Sequence, residues 1–259
     1  MDLDLDGYLA RIGYDGPRRA SRDTLRALHE AHVSAVPFEN LDILLGRAIS
    51  LELAALQLKL VGGRRGGYCF EQNTLFRAVL EALGFAVTSL AARVRGGGVL
   101  RPRTHMLLRV DLDEGPWLAD VGFGGDGPVH PVPLVPDDPV DAPGYGLRRE
   151  EDLWVLTGDS TGERMDLYAF TLEPHFPVDF EMANHYTSTW PRSPFVQTLT
   201  AQRSWPGRRA ILRNRDLTIR EGAVVRNETI RDADHLLEVL DREFNLSFPP
   251  GTRFSRPEF

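Results

Sequence analysis

The periodicity of this chain changes once, near residue 85, and that change limits what the chain can become. Before it, apolar residues recur at three-to-four-residue spacing and predict helices over roughly 4–11, 21–34, 50–60 and 69–83, with Ser21 and Ser50 as N-caps. After it come short segments rich in Val, Leu and aromatics at 85–95, 103–112 and 117–121, separated by Gly, Pro and Asp turn signals. Strand texture resumes at 153–157 and 165–171. The middle third therefore reads as mostly antiparallel strand, with the Pro-, Asp- and Gly-rich stretch 126–150 as a long loop inside it. A helix near 178–187 leads to strand texture at 195–200, 209–212, 217–219 and 224–226. A last helix, capped by Asp232 or Asp234, carries Leu236, Leu237, Leu240 and Phe244 on one face. Helices first and strands after make the fold class α+β.

The helical part holds the only cysteine, Cys69, in the run Arg-Gly-Gly-Tyr-Cys-Phe-Glu-Gln-Asn. A lone cysteine forms no internal disulfide, so it is explained by packing or by reactivity. Gly66 and Gly67 allow a tight turn, and Leu75, Phe76, Val79, Leu80 and Leu83 then mark a helix that Gly84 stops. Cys69 thus falls in or just before the first turn, where the helix dipole and unpaired N–H groups favour a thiolate.

A length of 259 residues suffices for one large domain or two to three small ones. The net charge of -7 argues against general nucleic-acid binding. No stretch is apolar for long enough to cross a bilayer. The acidic amino terminus does not read as a secretion signal, and the single thiol fits a reducing cytoplasm.

A thiol that attacks a carbonyl needs a base and a third group to orient that base. His105 lies on a predicted strand whose alternation puts Thr104, Met106, Leu108 and Val110 on one face and His105 and Leu107 on the other. Asp120 ends the next strand, and the Asp113-Glu114-Gly115-Pro116 connection allows a hairpin that brings the two together. The same spacing also fits an exposed strand-end aspartate and an ordinary histidine. His29 and His32, at i and i+3, have a metal-binding spacing, but no further ligand completes a site. His130, His175, His185 and His235 have no supporting motif.

Residues 65–73, Thr104-His105-Met106, Asp120-Val121-Gly122-Phe123-Gly124 and Pro37-Phe38-Glu39-Asn40-Leu41, in this order and spacing, closely resemble the arylamine N-acetyltransferases over essentially the whole chain. The resemblance implies a helical bundle (1–84), an antiparallel β-barrel-like domain (85–190) and an α/β lid (191–259). It also implies a cysteine-protease-like triad of Cys69, His105 and Asp120. Family members take an acyl group, usually acetyl, from coenzyme A onto the cysteine and pass it to an aromatic amine, hydrazine or N-hydroxyarylamine. Backbone N–H groups near Cys69 and Arg103 then stabilise the oxyanion.

By the same resemblance, Phe38, Val94, Phe123 and Phe195 wall the aromatic-substrate pocket, with core packing an equal reading for Val94 and Phe195. Gly124 and Gly125 admit the pantetheine arm. With no Walker-type loop, the nucleotide phosphates belong at the surface. The implied partners are acetyl-CoA as co-substrate and an aromatic amine or hydrazine, with no metal, nucleic acid or membrane. The setting is a cytoplasmic monomer or homodimer in xenobiotic metabolism. Relatives with this triad also include amide synthases that join polyketide thioesters to aminobenzoid groups. A papain- or transglutaminase-like hydrolase uses the same three residue types, and a binding protein with an inert thiol is the non-enzymatic alternative.

Overall fold

The computed structural model describes residues 2–96, 99–136, 144–160 and 163–258. Its helical part comprises α1 (Leu5–Ile12), α2 (Arg22–Ala35), α3 (Leu41–Leu44), α4 (Leu53–Leu56) and α5 (Cys69–Ala82), with a two-residue strand, β1 (Phe38–Glu39), after α2. Ser21 caps α2, its side chain accepting from the Thr24 N–H. Helix α5 ends as its sequence predicts. Gly84 adopts φ 86°, its N–H reaches the Glu81 carbonyl, and the Phe85 N–H reaches Leu80, which is a Schellman closure.

Seven antiparallel strands follow, β2 (Ala86–Val94), β3 (His105–Leu112), β4 (Gly115–Ala119), β5 (Val132–Pro133), β6 (Tyr145–Glu150), β7 (Leu153–Ser160) and β8 (Glu163–Phe170). They run in the order β5-β4-β3-β2-β8-β7-β6 as a nearly closed, barrel-like sheet. Helices α6 (Pro177–Thr189) and α7 (Pro194–Gln197) connect to a second antiparallel sheet. Its strands β9 (Thr200–Trp205), β10 (Arg208–Arg213), β11 (Asp216–Glu221) and β12 (Val224–Thr229) are covered by α8 (Ala233–Phe244). Strand β1 joins the edge of this second sheet, Phe38 opposite Gln202 and Glu39 opposite Ala201. The α+β class holds.

Alternation along β3 and β4 divides two cores. Met106, Leu108, Val110, Trp117 and Ala119 pack with Leu28, Leu75, Phe76 and Leu80 of the helices, while Leu107 and Leu118 face the barrel interior with Tyr168 and Phe170. Each fully buried Leu or Phe contributes about 1.5–3 kcal/mol. His105 shares the parity of Leu107, and Asp120 that of Leu118. Period two therefore turns both toward the barrel interior.

Four local readings are corrected. Ser50 does not cap a helix: α4 begins at Leu53, and Ser50 Oγ accepts only from the Glu52 N–H, 3.3 Å away. Its continuation, residues 57–62, is a π-helical turn. Residues 195–200 are not one strand, because Pro194 and the Ser193 side chain, which accepts from the Phe195 N–H, start α7. The loop read over 126–150 contains β6, paired along its whole length with β7. Residues 137–143, which carry three of the loop's four Asp and two of its six Pro, lie outside the described residues. No helix among the described residues is long and apolar enough to cross a membrane.

Candidate active site

Cys69 is the first residue of α5 and 3% exposed. The Glu71 carboxylate reaches back to the Tyr68 N–H at 3.1 Å and fixes the helix start. The approach to Cys69 is tied to β1, since Gly67 bridges Phe38, its N–H donates to the Pro37 carbonyl, and its own carbonyl accepts from the Glu39 N–H. From behind, Gln72 Nε2 donates to the Gly67 and Pro37 carbonyls. Gln72 Oε1 accepts from His32 Nε2 at 3.1 Å, and His32 Nδ1 accepts from the Tyr8 hydroxyl at 2.7 Å. Sequence patterning singled out none of Tyr8, His32 and Gln72 for this role. Their only signal is that polar side chains fall on otherwise apolar helix faces.

His105 Nε2 lies 2.7 Å from Asp120 Oδ2, and both groups are buried. Cys69 and the same imidazole face one cavity. The Cys69 thiol approaches the Thr104 carbonyl at 3.6 Å. Burial disfavours charge on His105, but the Asp120 carboxylate and the cysteine outweigh it and push the imidazole up to about 10. For Asp120, burial works upward, and the His105 imidazolium, Asn73 and the Gly122 N–H hold it below the usual carboxylate range. The two shifts are mutually consistent and describe one buried ion pair.

Three groups fix Asp120 itself. Asn73 Nδ2 and the Gly122 N–H both donate to Oδ1 at 3.0 Å, and Asn73 also spans to the Met106 carbonyl and the Val121 N–H. His29 Nε2 accepts from the Asp120 N–H at 3.1 Å, while its Nδ1 donates to the Val129 carbonyl at 2.9 Å. Burial pushes His29 down to about 4, so the ring is neutral at pH 7. With both nitrogens of His29 and of His32 engaged, their spacing serves scaffolding, and among the described residues no cluster of three or more potential ligands could hold a metal. Asn73 lies one helical turn after Cys69, and that was its only signal in the sequence. Gly122 permits a close approach to the start of α5. A Cβ there would sit 2.7 Å from Cys69 Cα.

A cavity of about 410 Å³ opens onto Cys69 and His105. Phe38, Val94, Phe123 and Phe195 all line it. Tyr168 closes against His105 and Phe123, with ring centroids 4.8 and 5.1 Å away. Gly124 and Gly125 do not line it. Gly124, with φ 72°, lies against Phe38 and Gln202, and the Gly125 carbonyl accepts from Arg209. Arg103 is also absent from the wall, its guanidinium reaching Glu173 and His175. His130 and His235 pair with Glu30 and Glu228, away from Cys69.

The N-acetyltransferase family model matches residues 21–252, which places the protein among acetyl-transferring enzymes. The arylamine N-acetyltransferase of Escherichia coli K12 is 42% identical over 248 residues, covering 93% of this chain and 88% of that protein. The Salmonella typhimurium arylamine N-acetyltransferase / N-hydroxyarylamine O-acetyltransferase is 39% identical, with the same coverage of each. The structure of the Mycobacterium marinum arylamine N-acetyltransferase in complex with CoA superposes with a TM-score of 0.88 at 36% identity, covering 93% of this chain and 92% of that one. The chain belongs to the arylamine N-acetyltransferase family. It is an acyl-transferring enzyme.

Proposed function

We propose that the protein acetylates arylamines by a ping-pong route through a thioester on Cys69. The observation that carries this reading is the chain of groups from Cys69, at the start of α5, through His105 to the buried Asp120, opening onto a ring-sized aromatic cavity. His105 Nε2 is held by Asp120, and Nδ1 holds the proton given up by the thiol, so that Cys69 attacks as one half of a thiolate–imidazolium pair. The thiolate attacks the carbonyl carbon of acetyl-CoA, and backbone N–H groups near Cys69 and Arg103 stabilise the oxyanion. Collapse expels coenzyme A, whose sulfur takes the proton back from His105. The amine, its ring against Phe38, Val94, Phe123 and Phe195, then attacks the thioester while His105 accepts an amine proton. The amide departs and the thiol re-forms. The CoA complex of the M. marinum relative supports the donor, and the name of the Salmonella relative supports extending the acceptors to N-hydroxyarylamines.

Intact mass measurement after mixing with acetyl-CoA, without acceptor, tests this. One acetyl group on Cys69, chased off by an arylamine, is expected. Wild-type protein that stays unmodified while turning over, or a Cys69→Ala variant that keeps its rate, sinks the proposal.

A further inference from the structure

Three guanidinium groups at the rim of the Cys69 cavity have no anion to meet. Arg101 comes from the β2–β3 connection, Arg192 from the turn after α6, and Arg213 from the end of β10 opposite Thr200. All three are exposed. Many other arginines of this chain are engaged: Arg65 with Glu39 and Asp42, Arg95 with Glu150, Arg148 with Asp166, Arg209 with backbone carbonyls. Among the described residues, the side chains of Arg101, Arg192 and Arg213 make no hydrogen bond or ion pair. Arg192 rests only over the Trp190 ring, 4.7 Å from its centroid. Among the described residues the cavity wall contains no Asp or Glu, although the chain as a whole carries a net charge of -7.

A concave site with walls of one sign concentrates ligands of the other, and guanidinium groups pair planar carboxylates in bidentate fashion. The size of the cavity decides which ligand this concerns. A volume of about 410 Å³ takes an aromatic ring and its substituents. The phosphates of coenzyme A sit at the far end of the pantetheine arm, outside a space of that size when the thioester is at Cys69. We propose that Arg101, Arg192 and Arg213 select the acceptor by charge, favouring an arylamine whose ring carries a carboxylate or similar anionic group. The rim pairs that group while the amino nitrogen faces the acylated cysteine. The inference rests on the acetyl-transfer reading above.

The test compares 4-aminobenzoate with 4-aminobenzamide, acetyl-CoA being the donor, in the wild type and in an Arg101→Gln/Arg192→Gln/Arg213→Gln variant. The difference in amine nucleophilicity cancels when the ratio of their kcat/KM values is compared between proteins. That ratio is expected to fall about three- to tenfold in the triple variant, mostly through the KM of the benzoate. In the wild type it should also narrow as salt is raised. Release of coenzyme A in the first half-reaction is followed separately. An unchanged ratio with normal acetylation of Cys69 overturns the charge selection and leaves the acetyl-transfer reading intact. An unchanged ratio with slowed acetylation by acetyl-CoA, but not by 4-nitrophenyl acetate, also overturns it and gives the cations to the coenzyme phosphates. Absence of any acetyl-cysteine defeats the underlying reading instead.

Discussion

Asp120 is an acid held in a buried place by an imidazole, an amide and a backbone N–H, and the proposed chemistry rests on its charge. Asp120→Asn keeps the shape and removes the charge. A fall in kcat/KM of about 10³-fold or more is expected. Alkylation of Cys69 by iodoacetamide at pH 7 should slow in parallel, which a purely structural aspartate would not produce. The buried histidines of α2 make a separate prediction. His29 and His32 are pushed down by burial, to about 4 and about 3, from an ordinary value near 6.5. Because the folded state resists their protonation, their contribution is complete above pH 6.5 and is lost as the pH falls toward 4. Urea unfolding should therefore show a loss on the order of a few kcal/mol between pH 6.5 and 4. The His105 pair acts in the opposite window. Its raised value makes its stabilisation complete below 6.5 and lost as the pH rises toward 10. At this scale the sequence exposed His105 and Asp120 through strand parity and a short connection. It hid His29, His32 and Asn73, because a polar residue on an apolar face looks the same whether it packs, binds metal or props up a neighbour.

Helix α5 and the π-helical turn before it form the element that presents Cys69. That turn carries the chain's single lysine, Lys59, whose Nζ meets Asp42 Oδ2 at 2.8 Å and Glu71 Oε1 at 2.7 Å. Burial and the nearby Glu39 carboxylate push Glu71 up to about 7 against the pull of Lys59, so the carboxylate depends on the ammonium. Lys59→Met should destabilise the protein by about 3–5 kcal/mol in chemical unfolding, since it leaves the buried Glu71 carboxylate without a cation, while Asp42 keeps Arg47 and Arg65. Gly122→Ala should displace the start of α5, because its Cβ would meet Cys69 Cα at 2.7 Å. Overpacking of this kind costs about 1–3 kcal/mol, and activity should fall further than stability does. Strand and helix identities were readable from apolar spacing. The π-helical turn was not, because its extra residue is set by tertiary partners of Lys59 and Gln57 rather than by a local pattern.

Across the whole molecule, the second sheet is joined to the rest by β1, by Leu41 and Leu44 in its apolar core, and by a set of specific polar links. Arg209 on β10 donates to the carbonyls of Gly125 and Gly127 and to the Tyr145 hydroxyl, and Arg220 pairs with Asp126 at 2.9 Å. Arg209→Ala should raise amide hydrogen exchange in β9–β11 while exchange in α5 and β3 stays at wild-type levels; equal acceleration everywhere would show that the link is not local. The order of helix, strand and mixed segments was legible because each has its own period. The crossing of β1 into the far sheet was not, since two residues carry no period at all. That small strand governs how the cavity opens. Phe38 lies opposite Gly67, next to Tyr68 and Cys69, on one side, where Pro37 and Glu39 make the bonds, and opposite Gln202 of β9 on the other, and its ring is a wall of the cavity. Any swing of the second sheet must either peel β1 from Gly67 or drag Phe38 along, so the aperture and its inner wall behave as one moving part and the room offered to a ring changes with them.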